Sequence, residues 1–307
     1  FAAAKSEKIK TALSSKVSRE RFGIELEGML SGKSARPSLA INTLQALDLL
    51  PIILSVQSID EIEIIPPLAE EKIDFNEGAN IAFWMGWLIY QKKNETLRNV
   101  LEFDKICGDV QNGNFLQFLG ALLVPVRHFR TNGKQGCTKV FPLAQHILKE
   151  LLKLKSKDVQ DVTKMLFGID CFIEVKNSVS KGDFDRIKIA ELVNEVGNVW
   201  EMSLELACAY ELSLVGDLRQ NIEDSKAIFL VQQNYEMFKQ ALFESGLNEA
   251  WKIKPWFNGK ELIDIFNVKK GPFIGNVMKL QMQYIYKNPK ESKENLIEHL
   301  RHKININ

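Results

Sequence analysis

The sequence predicts an all-α protein, on the strength of a long stretch without proline, the spacing of apolar residues and the scarcity of strand signals. No proline occurs between Pro142 and Pro255, and this stretch is rich in Leu, Glu, Lys and Ala, which favours long uninterrupted helices. Apolar residues recur within it at intervals of three and four, the helical period. These residues are Val193, Val196, Val199, Trp200, Leu204, Ala207 and Cys208.

The first predicted element is an amphipathic helix that begins after Ser18. Ser18 is a suitable N-cap, and Arg21 and Glu25 have the i,i+4 spacing of an ion pair on a helix surface. Residues 28–34, GMLSGKS, resemble a phosphate-binding loop, but that loop has four residues between its glycines and this sequence has three. Gly32 is therefore predicted to end the helix. The predicted buried face consists of Phe22, Leu26, Met29 and Leu30.

The segments that follow alternate between helical spacing and breaks. Helical spacing recurs at Leu44 and Leu47 and again over residues 147–152. The best strand candidate is the alternation DEIEII at residues 60–65, which a Pro-Pro pair ends at once. Three Gly- and Asn-rich breaks are predicted to be loops between helices: residues 108–114, 131–136 and 177–182.

The composition is that of a folded globular protein. Hydrophobic residues make up 45% and charged residues 26% of the 307 residues, which argues against disordered and low-complexity classes. The net charge of +1 means that a nucleic-acid surface has to arise from local clustering of basic residues. At about 150 residues per domain, the length favours two domains.

The cysteines and the apolar windows indicate in which cellular compartment the protein is expected and whether it is expected to cross a membrane. The four cysteines are far apart and form no C-x-x-C pair, which favours reduced thiols in an intracellular compartment. The most apolar windows, at residues 80–90 and 115–126, are shorter than the roughly 18 apolar residues of a membrane-spanning helix. The chain starts at Phe1 without a charged and apolar leader, so we expect no signal peptide and no membrane partner.

Short motifs predict no catalytic residue and no metal site in this chain. The pairs Asp183/Asp185 and Glu61/Glu63 have the spacing by which a strand aims two carboxylates at a divalent cation. The first pair directly precedes a helical run, where Asp is a common N-cap, and the second lacks an upstream glycine turn. Neither pair is therefore predicted to bind a metal ion.

The close histidines and the aromatic cluster are also predicted to be structural. His299 and His302 are about one helical turn apart, but no acidic or Cys partner completes a metal site, so both are predicted to be surface residues. Phe83, Trp84 and Trp87 either fill the core or form an interface patch. Core packing is the preferred interpretation.

Three segments together resemble a known family. Residues 16–30, KVSRERFGIELEGML, contain an E-R-x-x-x-E arrangement. This segment resembles the neck-helix motif of class II CCA-adding enzymes, the tRNA nucleotidyltransferases, in its eukaryotic form. Residues 254–263 read KPWFNGKELI and residues 270–275 read KGPFIG. They resemble the C-terminal N-G-x-D/E-L-I and G-P-x-I-G elements of the same family, in the same order.

This resemblance implies an elongated array of helices arranged as neck, body and tail. Residues 1–50 would form neck-like helices, residues 51–165 the body and residues 166–307 the tail. In the family, the body and tail grip the acceptor and T arms of tRNA, while a separate head supplies the chemistry. The elements that face tRNA would lie at residues 254–279.

The resemblance also implies roles for particular residues. Glu20, Arg21 and Glu25 would brace the nucleotide pocket of the head. Pro272 suits the first position of a helix whose amide groups and positive dipole end would bind a phosphate. The tRNA-binding residues would be Lys254, Asn258, Lys260, Lys269, Lys270, Gly271, Gly275, Asn276 and Lys279.

The motifs of the family's head do not occur in the 307 residues. They are a G-G-x-x-R-D turn, a pair of metal-binding aspartates, an R-R-D element and an E-D-x-x-R nucleotide template, all N-terminal to the neck motif. We therefore expect Phe1 to follow the head, Mg²⁺, ATP and CTP to bind in that head, and this chain alone to add no nucleotide. The sequence leaves open whether the parent enzyme adds CC, A or CCA, its oligomeric state, and whether it serves cytoplasm, nucleus or mitochondrion.

Two other functions remain open at this point. One is a non-catalytic helical module that binds RNA and keeps the tRNA grip. The other is a helical scaffold for protein partners, with Phe83, Trp84 and Trp87 as its interface. The coding sequence upstream of Phe1 distinguishes the enzyme from the module, because the head motifs would support the enzyme and a start codon would support the module.

Overall fold

The computed structural model describes residues 6–31, 34–54, 64–65, 73–93, 114–131, 141–220 and 225–304. These residues form α-helices joined by turns, with one short pair of strands, so the all-α prediction is confirmed. The helices are α1 (Glu7–Lys16), α2 (Arg19–Ser31), α3 (Pro37–Ala46), α4 (Leu50–Leu54), α5 (Phe75–Lys93), α6 (Phe115–Leu123), α7 (Pro142–His146), α8 (Ser156–Ser180), α9 (Arg186–Val196), α10 (Trp200–Val215), α11 (Ser225–Glu244), α12 (Gly259–Phe266), α13 (Pro272–Lys287) and α14 (Lys293–Ile304). None of these helices is long and apolar enough to cross a membrane.

The last two residues of the strand predicted at residues 60–65 do form a strand. Strand β1 (Ile64–Ile65) pairs in antiparallel fashion with β2 (Arg130–Thr131), and Ile64 lies opposite Thr131. The rest of the predicted strand, including Glu61 and Glu63, falls outside the described residues.

Several helices begin where the sequence indicates. Pro272 is the first residue of α13, where its fixed φ suits the helix and its missing N–H leaves no helical bond unmade. Asp185 caps α9, because its side chain accepts hydrogen bonds from the backbone N–H groups of Ile187 at 2.9 Å and Lys188 at 3.0 Å. The interpretation of the Asp183/Asp185 pair as a helix start is thus confirmed.

One compact unit of the chain comprises Phe1–Phe172 and Val199–Tyr235. Within it, α5 packs against α3, α6 and α10. Trp84 and Trp87 are fully buried, with their rings edge to face at a centroid distance of 5.1 Å, and Phe83 is fully buried as well. The predicted core packing is confirmed, and a protein interface formed by these three residues is excluded.

Helix α2 carries the E-R-x-x-x-E motif and packs against α3, α6 and the π-helical turn Ile147–Leu151. Its predicted buried face is confirmed, with Phe22, Leu26 and Leu30 buried and Met29 half-buried. The opposing backbone comes closest at Gly23, where a Cβ atom would lie 2.2 Å from the carbonyl oxygen of Leu152. Glycine at this position therefore lets α2 approach the chain beyond the π-helical turn.

A second compact unit comprises Ile173–Asn198 and Glu236–Asn307. In it, α9 packs against the 3-10 helix Leu247–Lys252 and against α13, while α12 and α14 both pack on α13. The buried cluster between these last three helices consists of Leu262, Phe266, Val277, Leu296 and Leu300. The division into neck, body and tail stays a prediction.

Arg186, the first residue of α9, joins two helix ends in this second unit. Its Nε donates to the carbonyl oxygen of Tyr286 at 2.6 Å, and its Nη1 donates to that of Ser245 at 2.8 Å. Carbonyl groups at the C-terminal ends of helices lack helical donors, so the guanidinium satisfies both. Nothing local in the sequence indicates this role.

Three local predictions need correction. Residues 177–180, predicted as loop, continue α8, and Ser178 and Ser180 donate their hydroxyl groups to carbonyl oxygens of the same helix. Residues 147–151 form a π-helical turn, and Gly197, with φ at 75°, breaks the long apolar repeat into two helices. The predicted helix end at Gly32 and most of the loops at residues 108–114 and 131–136 fall outside the described residues.

Candidate nucleic-acid interface

The E-R-x-x-x-E motif lies on the exposed side of α2. The amide of Arg21 donates to Ser18 Oγ at 3.3 Å, which confirms the predicted cap. Arg21 Nη2 and Glu25 Oε1 are 2.7 Å apart, with side chains 67% and 53% exposed, and Glu20 is exposed too. An exposed i,i+4 pair contributes only about 0.3–0.5 kcal/mol to stability. The predicted brace residues thus share one surface, and their ion pair adds little to the stability of the unit.

A concentration of positive charge lies near the C-terminus. Between Lys252 and Lys290 the sequence contains eight lysines and two acidic residues, Glu261 and Asp264, which gives a local charge of +6 in a chain of net charge +1. All eight lysines are exposed. The local clustering that a nucleic-acid surface requires is therefore present.

The first element of this basic segment is the start of α12, which is closed by its own side chains. Asn258 Oδ1 accepts hydrogen bonds from the amides of Lys260 at 2.9 Å and Glu261 at 3.0 Å. Glu261 Oε2 in turn accepts from the amide of Asn258 at 2.6 Å. This capping box places a carboxylate at the positive end of the helix. The N-x-x-E spacing was a readable signal that the sequence analysis missed, since it assigned Asn258 to tRNA alone.

The start of α13 is open by comparison. Gly271 occupies the N-cap position, Pro272 has no N–H, and the Ile274 amide donates to the Gly271 carbonyl oxygen at 3.1 Å. No described side chain accepts a hydrogen bond from the remaining amide of this turn, that of Phe273. Lys269 and Lys270 are exposed just before it, and neither forms an ion pair with a residue that the structure describes. This helix start thus presents the Phe273 amide and its positive dipole end to anions.

No packing contact within the described structure requires glycine at position 275, in the first turn of α13. A Cβ atom there would meet no atom within 4 Å, and the backbone is helical. Glycine inside a helix costs about 1 kcal/mol relative to alanine. Lys279 follows four residues later on the same face of α13. This face is therefore open, basic and free of a side chain close to the helix start.

The structure brings the starts of α12 and α13 together. Gln281 of α13 is fully buried and holds the backbone of Phe257 through two hydrogen bonds: its Oε1 accepts from the Phe257 amide at 2.8 Å, and its Nε2 donates to the Phe257 carbonyl oxygen at 2.9 Å. Nearby, a Cβ atom at Gly259 would lie 3.3 Å from Cγ2 of Ile274. The two C-terminal motifs thus form one surface, which their separation in sequence did not indicate.

The two histidines of α14 differ in burial. Burial lowers the pKa of His299, and the neighbouring charges of Lys303, Lys287 and His302 lower it further. Its ring lies against that of Tyr284 at a centroid distance of 4.8 Å. His302 is exposed as predicted, whereas His299 is half-buried. Among the described residues, no three His, Cys, Asp or Glu side chains are grouped to hold a metal ion.

Comparison with known proteins gives one consistent answer. The chain is similar to tRNA nucleotidyltransferases. It is 25% identical to the mitochondrial CCA tRNA nucleotidyltransferase of Saccharomyces cerevisiae and 22% identical to that of Candida glabrata, in each case over 95% of this chain. A tRNA nucleotidyltransferase of Schizosaccharomyces pombe is 21% identical over the same share.

The similarity covers only part of each relative. The chain spans 54% of the Saccharomyces cerevisiae enzyme and 55% of the Candida glabrata enzyme, so it corresponds to about half of their length. No protein-family model matches the chain, and no solved structure is significantly similar to it.

Proposed function

We propose that this chain is the tRNA-binding part of a CCA-adding tRNA nucleotidyltransferase of class II, the part that follows the catalytic head. The observation that carries the proposal is the open start of α13 amid exposed lysines, in a chain that resembles tRNA nucleotidyltransferases along 95% of its length. Helix amides and lysines both bind phosphate oxygens. The acceptor and T arms of tRNA are the proposed ligands.

The two helix starts would have different roles in this surface. The carboxylate of Glu261 already occupies the positive end of α12, so a phosphate is expected at α13 instead. Lys269, Lys270 and Gly271 would contact it, and Gly275 would let a sugar-phosphate backbone approach closely. Lys254, Asn258, Lys260, Asn276 and Lys279 would line the same surface, with Asn258 acting mainly by holding α12 in place.

Nucleotide addition itself is assigned to the head. Phosphoryl transfer relies on metal ions that position the phosphates and neutralise their charge. Among the described residues, no three His, Cys, Asp or Glu side chains are grouped to hold such an ion. Mg²⁺, ATP and CTP would bind in the head, while this chain would hold the tRNA.

The binding and the chemistry can be tested separately. We expect the purified 307-residue chain to bind tRNA with a log affinity that falls linearly with log salt, because phosphate contacts release counterions. We also expect it to incorporate neither CMP nor AMP into tRNA that lacks its CCA end. A chain that bound no tRNA at about 50 mM salt would contradict the binding role. Robust incorporation by the pure chain would contradict the assignment of the chemistry to the head.

We further propose that Glu20, Arg21 and Glu25 brace the nucleotide pocket of the head. The support is their exposure on α2, because the Arg21–Glu25 pair lies at the surface where it contributes little to stability. A brace acts through geometry, and a displacement of about 1 Å can cost about a hundredfold in rate. Arg21 is therefore the residue at which the proposal is most easily tested.

In a protein that contains the head, we expect Arg21→Ala to lower kcat by up to about a hundredfold while tRNA affinity changes little. The free energy of unfolding of the 307-residue chain should change by less than about 0.5 kcal/mol. Lys188→Ala is the matched control, since Lys188 Nζ forms a similar exposed pair with Glu174 at 2.6 Å. Equal losses of stability and rate in Arg21→Ala would instead assign the pair a purely structural role.

We propose the mitochondrion as one place of action. Two of the relatives are named as mitochondrial enzymes, which supports this compartment among the three that the sequence left open. Fractionation of the source cells with an antibody against the chain is the direct measurement. Absence of the protein from purified mitochondria would contradict the proposal.

A further inference from the structure

The first turn of α13 exposes an aromatic side chain. Phe273, the second residue of the helix, is 38% exposed and follows Lys269 and Lys270 in the sequence. Phenylalanine is usually buried, and here it stands within a segment whose local charge is +6. An exposed ring among lysines is the combination found where proteins bind unpaired nucleic acid.

Three neighbouring aromatic residues already make contacts within the protein. Lys252 Nζ lies 5.2 Å from the ring centroid of Trp251, and Lys293 Nζ lies 5.3 Å from that of Phe257. Trp256 packs against the core between α12, α13 and α14. Phe273 makes no ring or cation contact with any residue that the structure describes. Of the aromatic residues described between Lys252 and Lys290, Phe273 alone is exposed, so its ring is available to an outside partner.

The backbone around Phe273 leaves room for a flat ligand. Gly271, the N-cap residue, lies two residues before it, and a Cβ atom at position 271 would meet nothing within 4 Å. No side chain at this position therefore competes for the space beside the ring. Lys269 and Lys270 supply positive charge for the phosphates that accompany a base.

We propose that Phe273 stacks on an unpaired nucleobase of the bound tRNA. Stacking on an aromatic ring requires a base whose face is uncovered, which excludes bases inside a continuous duplex. The base would come from a loop or from the single-stranded 3′ end, two sources with the same stacking chemistry. This inference rests on the proposed tRNA-binding function and adds to it a contact that does not depend on charge.

The test is tRNA affinity against salt for the wild-type chain, Phe273→Leu and Phe273→Tyr. We expect Phe273→Leu to weaken binding about tenfold at every salt concentration, because the stacking face is lost. The slope of log affinity against log salt should stay unchanged, since no phosphate contact is removed. Phe273→Tyr keeps the ring and should bind within about twofold of wild type. Thermal unfolding of each variant checks that the fold is retained.

Three RNA probes locate the base. A blunt duplex without unpaired bases should bind wild type and Phe273→Leu equally. Two further RNAs separate the two sources of the base. One is a hairpin with a loop and no overhang, and the other is a duplex with a single-stranded 3′ overhang and no loop. Weaker binding of Phe273→Leu than of wild type to either RNA supports the inference. Equal affinity of wild type and Phe273→Leu for every RNA, or an equal loss on the blunt duplex, would overturn it. A wild-type chain that binds no RNA would instead mark failure of the proposed function.

Discussion

Replacement of both Lys269 and Lys270 by alanine is expected to weaken tRNA binding about 25- to 60-fold at 0.1 M salt. Each phosphate contact contributes about 0.7–0.9 to the slope of log affinity against log salt, so two lost contacts lower the slope by about 1.4–1.8. Both lysines are exposed and precede the open start of α13. Isothermal binding measurements between about 0.05 and 0.3 M salt would give both quantities.

The matched control removes the same charge at the other end of the helix. Lys287 and Lys290 are exposed as well, and Lys287 lies about 22 Å along α13 from Pro272. Replacing this second pair by alanine should change the affinity much less. Equal effects of the two double variants would mean that charge attracts tRNA diffusely, without a site at α13. Superimposable lines for wild type and the first variant would remove residues 269–270 from the binding surface.

Substitution of Gly23 by alanine is expected to lower the free energy of unfolding by about 3 kcal/mol. The added methyl carbon would lie 2.2 Å from the carbonyl oxygen of Leu152, and a backbone oxygen cannot rotate away as a side chain can. Either α2 or the segment after the π-helical turn must move, and overpacking of this kind costs about 1–3 kcal/mol or more. Urea denaturation followed by circular dichroism would measure the change.

Gly28 on the same helix is the control for this substitution. A Cβ atom at position 28 would meet nothing within 4 Å, so Gly28→Ala should raise stability by up to about 1 kcal/mol through helix propensity alone. The two alanine variants should thus shift the urea midpoint in opposite directions. A rise in both would show that α2 relaxes away from Leu152 at little cost.

The predictions that the structure confirms depend on neighbours within four residues. Ser18 caps α2 three residues before Arg21, Arg21 pairs with Glu25 four residues on, and Pro272 starts the helix that it occupies. Helix geometry brings residues three and four positions apart together, and this spacing can be read directly from the sequence. The same holds for the periodic burial of Phe22 and Leu26. The all-α class follows from many such signals added together.

The contacts that assemble the candidate site are of a different kind. Gln281 bonds Phe257 across 24 residues, and Arg186 bonds Tyr286 across 100. Sequence order does not say which distant backbone groups will lack partners after folding, so no pattern pointed to either side chain. The concentration of lysines after Lys252 could have been counted from the sequence. The meeting of the two helix starts could not, because that depends on α12 and α13 folding against each other.

The hydrogen bonds of Gln281 also constrain how this part of the chain can evolve. The amide fits the backbone of Phe257 only if Gln281 points in one direction from α13. One residue inserted into the first turns of that helix would rotate position 281 by about 100° about the axis, and the buried amide would then face no partner. We therefore expect insertions and deletions to be rare between Phe257 and Gln281 in relatives that keep both the glutamine and the helix, while surface loops elsewhere vary in length. The number of residues between Phe257 and Gln281 thus sets the distance between the starts of α12 and α13.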